Sequence, residues 1–463
     1  MIMVYFYFTR LRGNWEVIML QHHMWYCYHG AVDTELRQCH DEGRDVSALE
    51  ERAAAIGVVA PVTEEEYDKV MAMVDELEAL PLPEHPEFIE PDALDEIHAC
   101  SAPRREAVPY DKEALVDRIH GAWIGRVTGC LLGKPVENRS REYIRKIAEA
   151  DGNYPITRYL RGQVENPTND PFFDDPNFKF NCFAEKLCGC SPSDDDTNYT
   201  TLALTVVEQY GRDFTSNDIV EAWLRNFPAW VLCTAEQAAF RNFLNHILPP
   251  RSGYVRNPYR EWIGAQIRGD LFGYINPGDP NAAADMAWRD ACCTHTRNGI
   301  YGEMFIAAMI AESAVSSDIR HIIETGLACI PQKSRLKRDV DRVLDMYDEG
   351  LAFMEAIDQI HEQYPQHDLH NAVHTIPNAM IVVASLLWSE GDYTKALGYS
   401  VMAAMDTDCN GATVGSIVGM LTGAANVPTH FTDPICDTLC TDIAGNARVS
   451  ISDMARRTMK LIY

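Results

Sequence analysis

Two groups of aspartates are the residues of this sequence best suited to chemistry. The first lies in Ser193-Asp194-Asp195-Asp196-Thr197-Asn198-Tyr199, directly ahead of a helical pattern carrying Leu202 and Val206. Three adjacent carboxylates repel one another unless solvent or a cation screens them. Taken alone, such a run also fits an acidic first turn, because aspartate is favoured at helix N-termini. The second group, Asp406-Thr407-Asp408-Cys409-Asn410, follows an apolar face ending in Ala403 and Met405. Behind it come Gly411, Gly415, Gly419 and Gly423, four residues apart. Glycine costs a helix about 1 kcal/mol per residue relative to alanine, and at this spacing it leaves a flat stripe for close packing. A helix that accepts this cost belongs deep in a bundle, and carboxylates at its buried end need cations. Neither group contains paired histidines or cysteines, so the donors are hard oxygens that suit magnesium, or manganese, rather than zinc. Two such ions are the expected cofactors, with Asp194, Asp195, Asp196, Asp406, Asp408 and the adjoining Cys409 as candidate ligands.

The elements that must position these groups are helices. Leu115, Ile119, Ala122 and Trp123 mark one apolar face, and Tyr199, Leu202, Val206 and Tyr210 another. Val340, Val343, Tyr347, Leu351, Met354 and Ile357 give the longest clean stripe, and further helices are expected at 301–316, 378–389, 394–404 and 413–421. Alternating strand patterns are nearly absent, so an all-α domain follows. The stretches 151–192 and 248–285 are dense in Pro, Gly, Asn and Asp and read as long loops, candidates for the walls of a substrate cleft. Upstream, residues 25–79 are helical and charged. Residues 80–111 carry Pro81, Pro83, Pro86, Pro91, Pro103 and Pro109 among acids and read as an extended linker. The expected organisation is a helical extension with a linker over 1–110 and the main domain over 111–463.

Asp and Glu total 68 against 40 Lys and Arg, a net charge of -28. Such a surface excludes general binding to nucleic-acid polymers or anionic membranes, which need a cationic footprint. A small anionic ligand held by metal ions and helix N-termini remains compatible. The 14 cysteines are scattered and include no Cys-x-x-Cys pair, which suits buried reduced thiols in a cytoplasmic protein rather than a zinc knuckle or redox centre. The apolar residues 1–8 precede Arg10 and Arg12, the reverse of a signal peptide, and Met19 and Met24 offer alternative starts. No run of about 18 uncharged apolar residues is present that could span a membrane.

With these residues in view, the chain resembles the ADP-ribosylglycohydrolase family. Asp117-Arg118-Ile119-His120-Gly121-Ala122-Trp123-Ile124-Gly125, running through Gly129 to Gly133-Lys134-Pro135-Val136-Glu137, is similar to the family's N-terminal helix and the glutamate after it. Asp195-Asp196-Thr197 resembles its first metal motif and Asp406-Thr407-Asp408 its second, and Thr294-His295 through Asn298-Gly299 gives a weaker match. The resemblance implies an orthogonal multi-helix bundle with a central dinuclear magnesium site that engages ribose hydroxyls and positions water. It implies Asp195, Asp196, Asp406 and Asp408 as ligands, Asp195 and Asp408 as participants in catalysis, and Glu137 as the glutamate that manages protons or gates the site. His295 and Asn298 are candidates to contact substrate, His295 having a structural role as its alternative. Phe272 and Tyr274, after Arg268-Gly269-Asp270, are candidates either to stack on a base or to pack in the core.

The implied activity is hydrolysis of a ribosyl glycosidic bond, removing ADP-ribose from a modified protein or acting on a small ADP-ribosyl or N-ribosyl compound. Such cleavage passes through an oxocarbenium-like state and needs a carboxylate and an activated water. Asp194, Cys409 and Cys130 stand where the family usually has Ser or Thr, Thr, and Asp, which implies a divergent subgroup. Two other readings compete: a catalytically silent scaffold that binds ADP-ribose, and a magnesium-dependent all-α diphosphate lyase. The lyase needs an Asp-Asp-x-x-Asp spacing, and Asn198 and Tyr199 occupy the fifth positions instead.

Overall fold

The structure is a computed structural model that describes residues 30–57, 63–84, 86–161, 183–184 and 187–462. The apolar start, the alternative initiators Met19 and Met24, and most of the expected 151–192 loop lie outside those residues. Among the described residues the chain is all-α, with one antiparallel strand pair, Thr438–Cys440 and Arg448–Ser450. Helices occupy all four late positions expected from periodicity, as Arg297–Ser313, Thr375–Ser389, Tyr393–Met402 and Thr407–Thr422. Each begins before its apolar pattern does, because a polar first turn carries no hydrophobic signal. The stretch 248–285 is broken into short helical pieces, among them Gln266–Arg268 and Asp270–Tyr274.

The core is organised by two helices in backbone contact, Lys112–Gly133 and Thr407–Thr422. A methyl group built on Gly121, Gly125 or Gly129 would lie 2.3, 1.9 or 1.9 Å from the carbonyl oxygens of Gly419, Gly415 and Gly411 respectively. Numbers rise along one helix as they fall along the other, so the pair is antiparallel. The partner of the glycine stripe is therefore a second helix with the same four-residue spacing. Extrapolating the register places Gly133 against Thr407, whose Oγ1 donates to the Gly133 carbonyl at 2.8 Å. The Lys134–Glu137 turn is thereby delivered to Asp406–Asp408.

Three helices of the extension, Ala31–Asp41, Glu50–Gly57 and Glu64–Glu78, enclose a small core that includes Val32, Leu36, Val70, Val74 and Leu77. Thr63 and Glu66 form a capping box at the start of the third. This unit is fastened to the main domain by the fully buried Arg260, which donates to Glu35 at 2.6 and 2.9 Å and to Glu42 at 2.9 Å. Buried charges are tolerated only when paired in this way.

Residues 80–110 are a strap, not the extended linker that their prolines suggest. The segment includes a short helix, Leu94–Cys100, and is hydrogen-bonded to the main domain at points from Ile89 to Val108. Ile89 N–H donates to Lys333 O and Val108 N–H to Gly278 O. The Tyr301 hydroxyl donates to Pro91 O at 2.5 Å and Trp288 Nε1 to Asp92 O at 2.9 Å. Proline removes N–H donors but not carbonyl acceptors, so a proline-rich chain can still be held by side-chain donors from a neighbour.

Among the described residues no helix is long and apolar enough to cross a membrane. The described cysteines are all free thiols. Cys39, Cys130, Cys292, Cys293, Cys329 and Cys409 are buried as expected, whereas Cys188 and Cys436 are exposed.

Candidate metal centre

Asp194 is the N-cap of helix Asp195–Tyr210, its carboxylate accepting from the Asp196 backbone N–H at 3.1 Å. Its other oxygen pairs with the buried Lys134 ammonium. Asp196 faces the fully buried Arg126, at 3.1 Å, and the same guanidinium pairs with Asp270 at 3.0 Å. Arg126 also donates to Thr200 Oγ1 at 2.8 Å, which locks the first turn of this helix to the glycine-striped one.

Asp406 is the N-cap of the second striped helix but makes no side-chain capping bond. Ala404 and Met405, just before it, both have left-handed backbones, with φ of 67° and 62°. For residues with a Cβ such conformations cost of order 1–2 kcal/mol each, and strain of this kind gathers at functional sites. Asn378 Oδ1 accepts from Asn410 Nδ2 at 2.7 Å and steadies the turn from behind.

The carboxylates are poorly satisfied without a cation. Asp196 Oδ2 and Asp408 Oδ1 are buried and have no hydrogen-bond partner among the described residues. Burial pushes the Asp196 carboxyl up to about 8; Asp195 and Asp408 raise it further while Arg126 opposes them. Burial, with Asp408 and Glu137 close by, holds Asp406 well above the ordinary carboxylate range. An all-oxygen donor set with repelling, orphaned oxygens fits a divalent cation. Cys409 differs in donor type: its sulfur lies close enough to Asp406 and Asp408 to share an ion and hydrogen-bonds to Asp406, but a thiol is a softer donor than the carboxylates around it. Burial raises the Cys130 thiol, which clusters with Asp194 and Asp196.

A narrow cavity of about 20 Å³ opens over Asp195, Asp406 and Asp408. Its lining combines Glu137, Asp195, Asp406, Asp408 and Cys409 with residues that include Thr234, Glu236, Trp262, Ile263, Gly264 and Ile267. The 248–285 stretch thus supplies much of the wall. Glu236 lines this cavity and was missed from sequence, since a lone glutamate in a first helical turn reads as a surface acid. Here it accepts from Arg268 at 2.9 Å and its carboxyl is pushed up to about 7 by burial, Arg268 counteracting. A Cβ on Gly264 would sit 2.0 Å from Glu236 Oε1, so glycine makes room for the carboxylate.

The structure does not bring the other expected substrate residues to the cavity. Phe272 is fully buried and stacks on Phe214 at 5.5 Å. Tyr274 is fully buried against Trp123, with its hydroxyl on Ser416. Both are core residues, and Trp262 is the cavity's aromatic wall. His295 lies behind Glu236, 3.9 Å away, with Nδ1 on Thr294 Oγ1 at 2.7 Å, and burial holds its ring neutral. Asn298 is buried and spent on structure, donating to Glu90 of the strap at 2.8 Å and accepting from Leu336 N–H at 3.0 Å.

The family model described as ADP-ribosylglycohydrolase matches residues 111–462. The chain belongs to the ADP-ribosylglycohydrolase family. The match starts at the N-cap of the first glycine-striped helix and takes in both aspartate clusters and the cavity. A solved structure titled "ADP-ribosylglycohydrolase-related protein complex" is similar over 76% of this chain and 98% of that one, with 18% identity and a TM-score of 0.45. Among curated proteins there is no match. The ADP-ribosylglycohydrolase domain leaves the helical extension and the strap outside the matched region.

Proposed function

We propose that this ADP-ribosylglycohydrolase-family chain is a magnesium-dependent hydrolase that cleaves the glycosidic bond of an ADP-ribosyl or related ribosyl compound. The observation that carries the reading is the pair of buried oxygens, Asp196 Oδ2 and Asp408 Oδ1, that have no hydrogen-bond partner among the described residues, on clusters near enough for Asp408 to raise the Asp196 carboxyl. Asp195, Asp196, Asp406 and Asp408 would hold two magnesium or manganese ions. Asp194, occupied by Lys134 and the Asp196 amide, and Cys409, whose sulfur is a poor donor for magnesium, fall outside that set. Bound there, the ions would supply Lewis acidity toward ribose oxygens and water.

The chain's own groups account for the rest. Ribosyl cleavage calls for a group that passes a proton at neutral pH. Glu236, held near 7 inside the cavity, can carry one to a departing group or take one from water. Glu137 lines the same cavity beside Asp406 and can orient water or substrate hydroxyls. Ile263, Ile267, Trp262 and Val373 add apolar surface to the lining, which excludes bulk water and strengthens each charge interaction inside.

The test is a turnover assay with ADP-ribosyl-Arg, ADP-ribosyl-Ser, ADP-ribosyl-DNA bases and simple nucleosides, with and without magnesium. Release that needs magnesium and is lost in Asp195→Ala and Asp408→Ala supports the reading. Full activity in either variant contradicts it. Binding of ADP-ribose with no release from any substrate points instead to a silent, ligand-binding member of the fold.

A further inference from the structure

Three consecutive residues, Arg260, Glu261 and Trp262, lead into the cavity wall, and each is fixed by the extension or its strap. Arg260 is held by Glu35 and Glu42. Glu261 accepts from Arg335 at 2.7 and 2.8 Å, and that guanidinium also binds Glu90 of the strap at 2.8 Å. Trp262 Nε1 donates to His370 Nδ1 at 3.1 Å, and His370 Nε2 lies 2.9 Å from Asp41 Oδ2, on the last residue of helix Ala31–Asp41. The wall is otherwise a short backbone pairing: Ile263 N–H donates to Val373 O at 2.8 Å and Thr375 N–H to Glu261 O at 3.1 Å.

Asp41, His370 and His374 have the composition of a metal triad, but their protons are arranged wrongly for one. His370 Nδ1 accepts the indole N–H, and His374 Nδ1 accepts Ile376 N–H at 3.2 Å. Each ring that accepts at Nδ1 keeps its proton on Nε2, which in His370 meets Asp41 and in His374 lies 3.7 Å from Glu261 and 3.9 Å from Asp41. A metal-bound imidazole does the reverse, donating from its far nitrogen. The chain of donors runs one way, from Trp262 through His370 to Asp41.

Trp262 is also the common wall of two spaces. Its inner side lines the aspartate cavity, and it borders a surface groove lined by Asp33, Thr34 and Arg37 of the extension together with His367 and Asp368. We propose that Trp262 is a specificity-determining residue of the ribosyl site, and that the extension is its positioning element through Asp41 and His370. The specificity half of this inference rests on the reading of the cavity given above; the positioning half does not.

Amide hydrogen exchange and ADP-ribose binding, both on the full chain with magnesium present, separate the two. Asp41→Ala removes the acceptor, and Asp41→Asn keeps one and serves as the rescue. Expected in Asp41→Ala are faster exchange at Ile263 and Thr375 and an ADP-ribose Kd raised about fivefold, the equivalent of one lost hydrogen bond. Manganese affinity should be unchanged, and Asp41→Asn should restore both readouts. Trp262→Phe, which keeps a ring but loses the N–H, should match Asp41→Ala, with no further loss when the two are combined. Unchanged exchange in Asp41→Ala would overturn the proposal, as would an equal loss of manganese affinity, which marks general destabilisation. Faster exchange in a chain whose wild type binds manganese but no ADP-ribose would support the positioning role and overturn the substrate reading instead.

Discussion

Replacing Gly129 with alanine probes the device that builds the site. The new Cβ would sit 1.9 Å from the Gly411 carbonyl oxygen, 2.5 Å from its carbon and 3.1 Å from Leu397 Cδ2. An acceptable carbon–oxygen approach is about 3.3 Å, so the two backbones must part by roughly 1.4 Å. Overpacking of this kind costs about 1–3 kcal/mol or more, and here the obstacle is backbone rather than a side chain that can swing away. Alanine regains only about 1 kcal/mol of helix propensity. A net loss of about 2 kcal/mol is expected, a fall of roughly 3 °C in Tm for a domain of this size. Separation at Gly129 also loosens the contact of Gly133 with Thr407, which sets Lys134–Glu137 against Asp406–Asp408, so manganese affinity should fall about tenfold, roughly 1.4 kcal/mol. Thermal denaturation with calorimetric manganese titration reads both effects. Val116→Ala, at an exposed position of the same helix, is the control and should stay within about 0.5 kcal/mol. A Gly129→Ala chain with wild-type Tm and metal affinity would refute the argument.

Lys134→Met should destabilise the chain by about 3 kcal/mol in denaturant titration, because Asp194 is left buried beside an absent cation; an unchanged midpoint would mean that Asp194 is compensated by metal after all. Burial raises the carboxyls of Glu78 to about 8 and of Glu236 and Glu261 to about 7. These groups hold protons in the folded chain that the unfolded chain releases, so their contribution is complete below about pH 4.5 and is lost as pH rises to about 8. The Tm of the metal-free chain should therefore fall between pH 5 and 8, and a Tm that rises across that window would contradict the burial argument. Glu236→Gln should leave metal binding intact while turnover drops about a hundredfold and the pH profile loses its limb near 7; undiminished turnover would remove Glu236 from the chemistry.

The helices and both aspartate clusters were legible because each is a local signal. Apolar spacing marks a helix face, and Asp195, Asp196, Asp406 and Asp408 announce themselves by adjacency. The four-residue glycine spacing even implied the tight packing, although only the structure pairs Gly129 with Gly411. What sequence could not show depends on contacts distant along the chain. Glu236 reaches the cavity wall through Arg268 and the space left by Gly264. Phe272 and Tyr274 occur in a loop-like composition, yet the short helix Asp270–Tyr274 turns them into the core. The prolines of 80–110 describe a chain without regular structure, and cannot say whether that chain is free or held by Tyr301, Trp288 and Arg335.

The central claim is that the two aspartate clusters form one dinuclear metal site. Manganese titration of the full chain, followed by electron paramagnetic resonance, tests it most directly. Two saturable ions per chain, spin-coupled to each other and reduced in number in both Asp196→Ala and Asp408→Ala, is the predicted result. Absence of saturable binding, or binding in either variant that matches the wild type, would contradict the account.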